Sequence, residues 1–329
     1  MKKIITLVLA LAMAVSLFTG CGKKNNAETG ESDPNKLSVV TTIFPEYDWV
    51  REILGGKAES TDLTMLLDNG VDLHSYQPTA DDIVKIADCD LFLYVGGESD
   101  GWVDDALAGA ANQDRKVINL LDVLGAQVKE EETVEGMETE EEDAAADADD
   151  PEYDEHVWLS LKNAETLCEA IANALEELDE QNKDTYAANL TAYTDQLAAL
   201  DAAYQTAVDT GKRKTVLFGD RFPFRYLVDD YGLSYYAAFA GCSAESEASF
   251  ETVSFLAKKV DELGLPCVLT IEGKNHKLAE TIVRSTAGKN QKVLTMDSMQ
   301  SMTSEDVANG TTYLSVMEQN LSVLKEALS

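Results

Sequence analysis

Along most of the chain, short apolar runs rich in β-branched residues alternate with stretches whose apolar positions recur every three or four residues. Residues 37–44 form the first such run and read as a strand. Pro45 opens a helical stretch through Trp49, Val50, Ile53 and Leu54, which Gly55-Gly56 closes. Residues 63–67 are apolar again and lead into a polar loop at 68–78. Thr79 then reads as a helix N-cap, with Asp82 three residues on and Ile83, Ile86 and Ala87 as the buried face. A buried strand at 91–95 ends in Gly96-Gly97; a helix at 102–111 and a strand at 117–120 follow. Strands that alternate with helices in this way predict an α/β fold with a mostly parallel sheet covered on both faces.

The middle of the chain changes period. Leu161, Ala164, Cys168, Ile171, Leu175 and Leu178 lie on one helical face, and after a polar break at 179–183 the pattern resumes at Tyr186, Leu190, Tyr193, Leu197, Leu200 and Tyr204. The second helix, from about 184 to 209, would be roughly 40 Å long at 1.5 Å per residue. Such a helix suits a stiff brace between two α/β halves, or it packs on a sheet; periodicity leaves both open. The second half alternates once more, with strands expected at 215–218, 234–239, 268–271 and 293–296 and helices at 249–263, 277–287 and 311–328.

The first twenty residues do not belong to that pattern. Lys2 and Lys3, an apolar run at 4–18 and Thr19-Gly20-Cys21 form an export signal ending in a small-residue box like that of bacterial lipoproteins, with Cys21 as the lipidated residue. The polar residues that follow read as a tether. The organisation expected is a signal peptide at 1–20, a tether at 21–36, an N-terminal lobe at 37–160, linking helices at 161–212 and a C-terminal lobe at 213–329. Exported and lipid-anchored, the protein would face outward from the cell membrane. Within the first lobe, residues 130–155 carry 15 acidic side chains and no basic one. Composition of that kind buries too little apolar surface to offset its ordering entropy, so a disordered loop is expected over 129–155. The formal net charge of −34 excludes nucleic acid and anionic lipid headgroups as partners and favours cations. Cys89, Cys168, Cys242 and Cys267 fit no zinc-finger spacing and allow three disulfide pairings.

Ligands of open α/β sheets bind beyond the carboxyl ends of the strands. His74 follows the run at 63–67, and Asp220 follows 215–218. Glu272 and then His276 follow 268–271, and Asp297 follows 293–296. His156 stands where the acidic run meets the first long helix. These include all three histidines of the chain, and imidazoles with carboxylates suit a divalent transition metal.

Two stretches carry a family resemblance. Asp72-Leu73-His74-Ser75-Tyr76-Gln77-Pro78-Thr79 resembles the first metal-binding motif of the zinc and manganese substrate-binding proteins of bacterial ABC importers, and Glu155-His156-Val157-Trp158-Leu159-Ser160 resembles their second. The resemblance implies a C-clamp of two α/β lobes joined by one long rigid helix, with one metal ion held between them. It implies His74 and His156 as ligands from the first lobe and Asp297 as a ligand from the second. At the remaining ligand position this chain has Arg221, which cannot ligate, so the neighbouring Asp220 is the expected ligand. His276 is a possible substitute and Glu272 an acceptor that orients a ligand. Zinc is favoured over manganese as cargo, the partners implied are a membrane permease and its ATPase, and a monomer with no enzymatic activity is expected. The alternatives are an exported metal-dependent hydrolase with the same ligands, or a surface adhesin with a metal site. His-Glu-x-x-His is absent from the sequence, which weighs against the hydrolase.

Overall fold

A computed structural model describes residues 36–109, 111–138, 152–243, 247–273 and 275–329. The signal peptide, Cys21, the tether up to residue 35 and residues 139–151 of the acidic run lie outside the described residues. The first sheet is built from β1 (Ser38–Thr41), β2 (Asp62–Met65), β3 (Leu91–Tyr94) and β4 (Lys116–Asn119), in the order β2-β1-β3-β4. The second repeats that order, β6-β5-β7-β8, with β5 (Thr215–Phe222), β6 (Ser234–Ala240), β7 (Cys267–Thr270) and β8 (Lys292–Thr295). Every pairing is parallel. Parallel strands need crossovers, and helices supply them in the first half: α1 (Phe44–Leu54), α2 (Ala80–Asp88) and α3 (Val103–Ala108), with α4 (Leu120–Leu124) following the last strand. Then come α5 (Leu161–Leu178) and α6 (Lys183–Thr210), and in the second half α7 (Arg225–Tyr231), α8 (Phe250–Leu263), α9 (Lys277–Ser285), α10 (Ser304–Ala308) and α11 (Tyr313–Ala327). The two-lobe α/β architecture is the one expected from the alternating pattern.

Local chemistry sets several boundaries differently from the apolar runs. The first strand ends at Thr41 and α1 already begins at Phe44. The cause is Glu46, whose Oε2 accepts from the backbone N–H groups of Thr42 (2.8 Å) and Ile43 (3.3 Å) and turns the chain into the helix. Thr79 caps α2 as expected, accepting from Asp82 N while Asp82 Oδ2 accepts from Thr79 N. Strand β5 runs four residues further than its apolar core, through a register shift between Phe218 and Arg221.

The 28-residue helix α6 packs on α5, α1 and α11. Its partners thus include helices from both ends of the chain. Tyr313, at the start of α11, donates its hydroxyl to Trp158 O (2.6 Å) and its backbone N–H to Asp48 Oδ2 of α1 (2.7 Å), and its ring meets Trp49 edge-on at 5.2 Å. One apolar core therefore runs from Val39 and Trp49 through Tyr204 to Leu324. A smaller cluster under α8 and α9, including Leu217, Leu256 and Ile282, serves the second sheet alone.

The acidic run departs from expectation at both flanks. Residues 129–138 and 152–155 are folded against the protein and not disordered. Glu130 and Tyr153 form an antiparallel bridge, Glu131 N donates to Glu152 O (2.9 Å), and Asp154 N donates to Lys129 O (2.9 Å). Met137 is buried, and Glu138 N donates to Ala238 O of β6 (2.9 Å). A hairpin-like pairing satisfies the backbone, and contact with the second sheet supplies the burial that composition alone does not foretell.

Candidate metal centre

His74 sits in a short 3-10 turn, Leu73–Ser75, after β2. Asp72 caps the turn by accepting from His74 N at 3.0 Å. His156 caps a second 3-10 turn, Val157–Leu159, and is fully buried. The two turns bring the imidazoles together, with His74 Nε2 and His156 Nε2 3.2 Å apart. Both Nδ1 atoms point away to oxygen acceptors. His156 Nδ1 is 3.0 Å from Asp154 Oδ1, while His74 Nδ1 is 2.8 Å from Ser99 Oγ and 3.5 Å from Glu155 Oε2. With each Nδ1 turned to oxygen, the two Nε2 atoms are the ones that face one another, placed so that both can ligate one cation once His156 has given up its proton. Two zinc–nitrogen bonds of about 2.0–2.1 Å at a tetrahedral angle span about 3.3 Å, close to the separation seen.

The electrostatics of the pair are asymmetric. Burial and then the neighbouring His156 hold His74 down to about 3, so it is neutral at ordinary pH. Burial opposes a charge on His156 as well, but Asp154 and then Glu155 outweigh it and raise the group above its usual range. Without a metal, His156 is the imidazole that takes the proton.

Gly97 and Gly241 let the surrounding loops close in. Gly97 has φ +81°, and a side chain there would meet Glu155 Oε1 at 2.3 Å. A Cβ on Gly241, just past β6, would lie 2.9 Å from His156 Cε1. The close approach of the 241–243 turn puts Cys242 beside the pair. Among the described residues, His74, His156 and Cys242 offer ligand-type atoms that all lie within 4.8 Å of one another. Glu131 Oε1 accepts from Cys242 N at 3.1 Å and fixes that turn. Burial, then Glu131, Asp154 and Glu155, push the Cys242 thiol up. A cleft of about 650 Å³ opens over these residues, lined by Glu98, Glu130, Glu131, Glu138, Glu152 and Glu155 among others.

Among the described residues, the group within 4.8 Å does not include the expected carboxylates of the second lobe. Asp220 lies on β5 and not beyond it, and its Oδ2 accepts from Thr270 Oγ1 of the neighbouring β7 and from Ile271 N (3.3 Å). Side chains alternate along a strand, so Arg221 takes the other direction; its Nη2 donates to Asp72 Oδ2 at 2.6 Å, an ion pair between the two lobes. His276 is the residue before α9, with Nδ1 3.1 Å from Thr270 Oγ1, and so belongs with Asp220. Asp297 accepts from Met299 N (2.8 Å), and burial followed by Glu272 raises it to about 7. Glu272 itself is engaged by Ser298 N (2.7 Å), Ser298 Oγ (2.7 Å) and Gln300 N (3.2 Å), shaping the loop after β8. Sequence reasoning missed Cys242, which follows the end of β6 by two residues with no motif around it to mark it.

The family of the zinc-uptake complex component A, periplasmic (ZnuA), matches residues 39–327. The zinc-binding lipoprotein AdcA of Streptococcus pneumoniae is 30% identical over 328 residues, 99% of this chain; the chain spans 61% of that relative's length. The high-affinity zinc uptake system protein ZnuA of Bacillus subtilis is 27% identical over 323 residues, covering 98% of this chain and 97% of the relative. The Zn(II)-bound ZnuA-like domain of pneumococcal AdcA superposes with a TM-score of 0.68 at 29% identity, covering 89% of this chain and 99% of the domain. With two imidazoles facing one another in a molecule of two parallel sheets and a family match across nearly its whole described length, the chain belongs to the ZnuA family of zinc-uptake components.

Proposed function

We propose that this chain captures a zinc ion outside the cell membrane and passes it to a membrane permease driven by an ATPase. The observation that carries this reading is the facing pair of Nε2 atoms, 3.2 Å apart, with both Nδ1 atoms tied to oxygen. Zinc-binding and zinc-uptake relatives, among them a zinc-bound domain of the same fold, support zinc over manganese. A carrier needs a site that grips and lets go but no general base, and membership in an uptake family favours capture over hydrolysis or adhesion. The finer parts of the proposal are attachment to the membrane through lipidated Cys21 and action as a monomer. The pneumococcal relative is named a lipoprotein, which supports the first.

Titration calorimetry of metal-free protein with zinc tests the reading. One ion per chain is expected, and His74→Ala or His156→Ala should each weaken binding more than tenfold, about 1.4 kcal/mol. Unchanged affinity in both variants would place the metal elsewhere and end the proposal.

A further inference from the structure

We propose that Cys242 is a metal ligand, supplying a thiolate from the second lobe to the ion held by His74 and His156. This rests on the zinc-capture reading and makes it more specific. Cys242 Sγ and an imidazole nitrogen from each histidine lie within 4.8 Å of one another. Tetrahedral zinc, with Zn–N near 2.0–2.1 Å and Zn–S near 2.3 Å, needs each N···S separation to be about 3.6 Å. A side-chain adjustment of roughly 1 Å closes the difference. The turn that carries Cys242 is built for proximity, since Gly241 packs against His156 where no side chain would fit and Glu131 pins the Cys242 backbone.

A further observation points to a ligand at this place. Gln300 Oε1 is buried with no hydrogen-bond partner, in a side chain that reaches His74. An unsatisfied buried oxygen is costly, and a cation beside it removes that cost. Arg221, which stands at the ligand position the resemblance implies, is committed to Asp72, and Asp220 beside it to Thr270, so the second lobe reaches the pair through the turn after β6 and not through β5.

On binding, the Cys242 thiol and the charged His156 imidazole each give a proton to solvent, and the sulfur becomes an anionic donor beside two neutral rings. Two neutral imidazoles with one thiolate form a softer set than imidazoles with carboxylates. Soft sulfur favours zinc and disfavours manganese, which prefers oxygen ligands. Cys242 is therefore the residue that sets cargo preference.

Cobalt(II) substituted into the full chain reads the bond directly. The wild-type protein should bind one cobalt ion and show a thiolate-to-cobalt charge-transfer band in the near ultraviolet. Cys242→Ser should lose that band, bind zinc at least tenfold more weakly, and prefer zinc over manganese less. Cys89, Cys168 and Cys267 are buried in the core, so loss of the band in this one variant assigns it. Cys242→Asp restores a charged ligand and should recover binding without the band, which separates ligation from a folding defect. If wild-type protein binds cobalt and shows no such band, or if Cys242→Ser keeps it, the thiolate assignment is overturned while zinc capture stands. If the wild-type chain binds neither zinc nor cobalt, both readings fall.

Discussion

Asp154 acts on His156 twice. One carboxylate oxygen accepts from the His156 backbone N–H at 2.9 Å and lies 3.0 Å from its Nδ1. The first bond fixes the turn and the second fixes the tautomer, so a single side chain decides where the Nε2 lone pair points. Asp154→Asn keeps the shape and a backbone acceptor but loses the charge that favours an Nδ1–H. Zinc affinity is expected to fall by about 10–100-fold, the usual cost of losing such an outer partner, with little change in fold by circular dichroism. An affinity equal to wild type would mean that His156 is oriented by packing alone. The histidines themselves were legible in the sequence because their motifs are local. Cys242 was not, because nothing within the 241–243 turn announces a ligand; its meaning comes from a Gly241–His156 contact across 85 residues of chain.

At the scale of elements, the regular pieces follow from periodicity. The helix expected at 184–209 spans Lys183–Thr210, and the strand expected at 234–239 is Ser234–Ala240. Misreadings occur where a polar side chain overrides the apolar pattern, as Glu46 does at the start of α1, or where a strand continues past its apolar core, as β5 does around Asp220. The acidic run was misread because charge density predicts solvation, whereas pairing between Glu130 and Tyr153 depends on what lies opposite. Its ordered flanks place Glu130 and Glu152 at the cleft, where Glu98 from the loop after β3 joins them, and all three are exposed. Their role is to raise the local cation concentration. Replacing all three with Gln should slow zinc association in stopped-flow measurements at low salt and leave equilibrium affinity nearly unchanged. The difference should shrink as ionic strength approaches physiological, where exposed charges are screened beyond about 8 Å. A rate that is equally slow at all salt concentrations would contradict steering.

At the scale of the whole molecule, the continuous core predicts that the two sheets melt together, and it lets one buried group report on global stability. Glu46 is fully buried; burial and then Asp100 raise its carboxyl from the ordinary 4.5 to about 8. As pH rises the unfolded chain gives up this proton first, so the folded state binds more protons through that interval. The contribution of Glu46 to stability is therefore complete below about 4.5 and declines as pH climbs toward 8. Glu46→Gln removes that decline. Urea unfolding of metal-free protein at about pH 5 and pH 8 should show a smaller loss between the two conditions in the variant than in wild type. Equal losses would show that Glu46 does not titrate over this range. The same joined core has a consequence for delivery. Tyr313 fastens α11 by hydrogen bonds both to α1 and to the turn that carries His156. A body welded in this way has little room to announce its cargo by swinging its halves. If delivery runs as proposed, what a membrane partner would read is the rim: the Arg221–Asp72 bridge, the Cys242 turn and the carboxylates of the cleft, whose charge would change when an ion arrives. Loaded and empty forms would then differ less in outline than in the field at one small mouth.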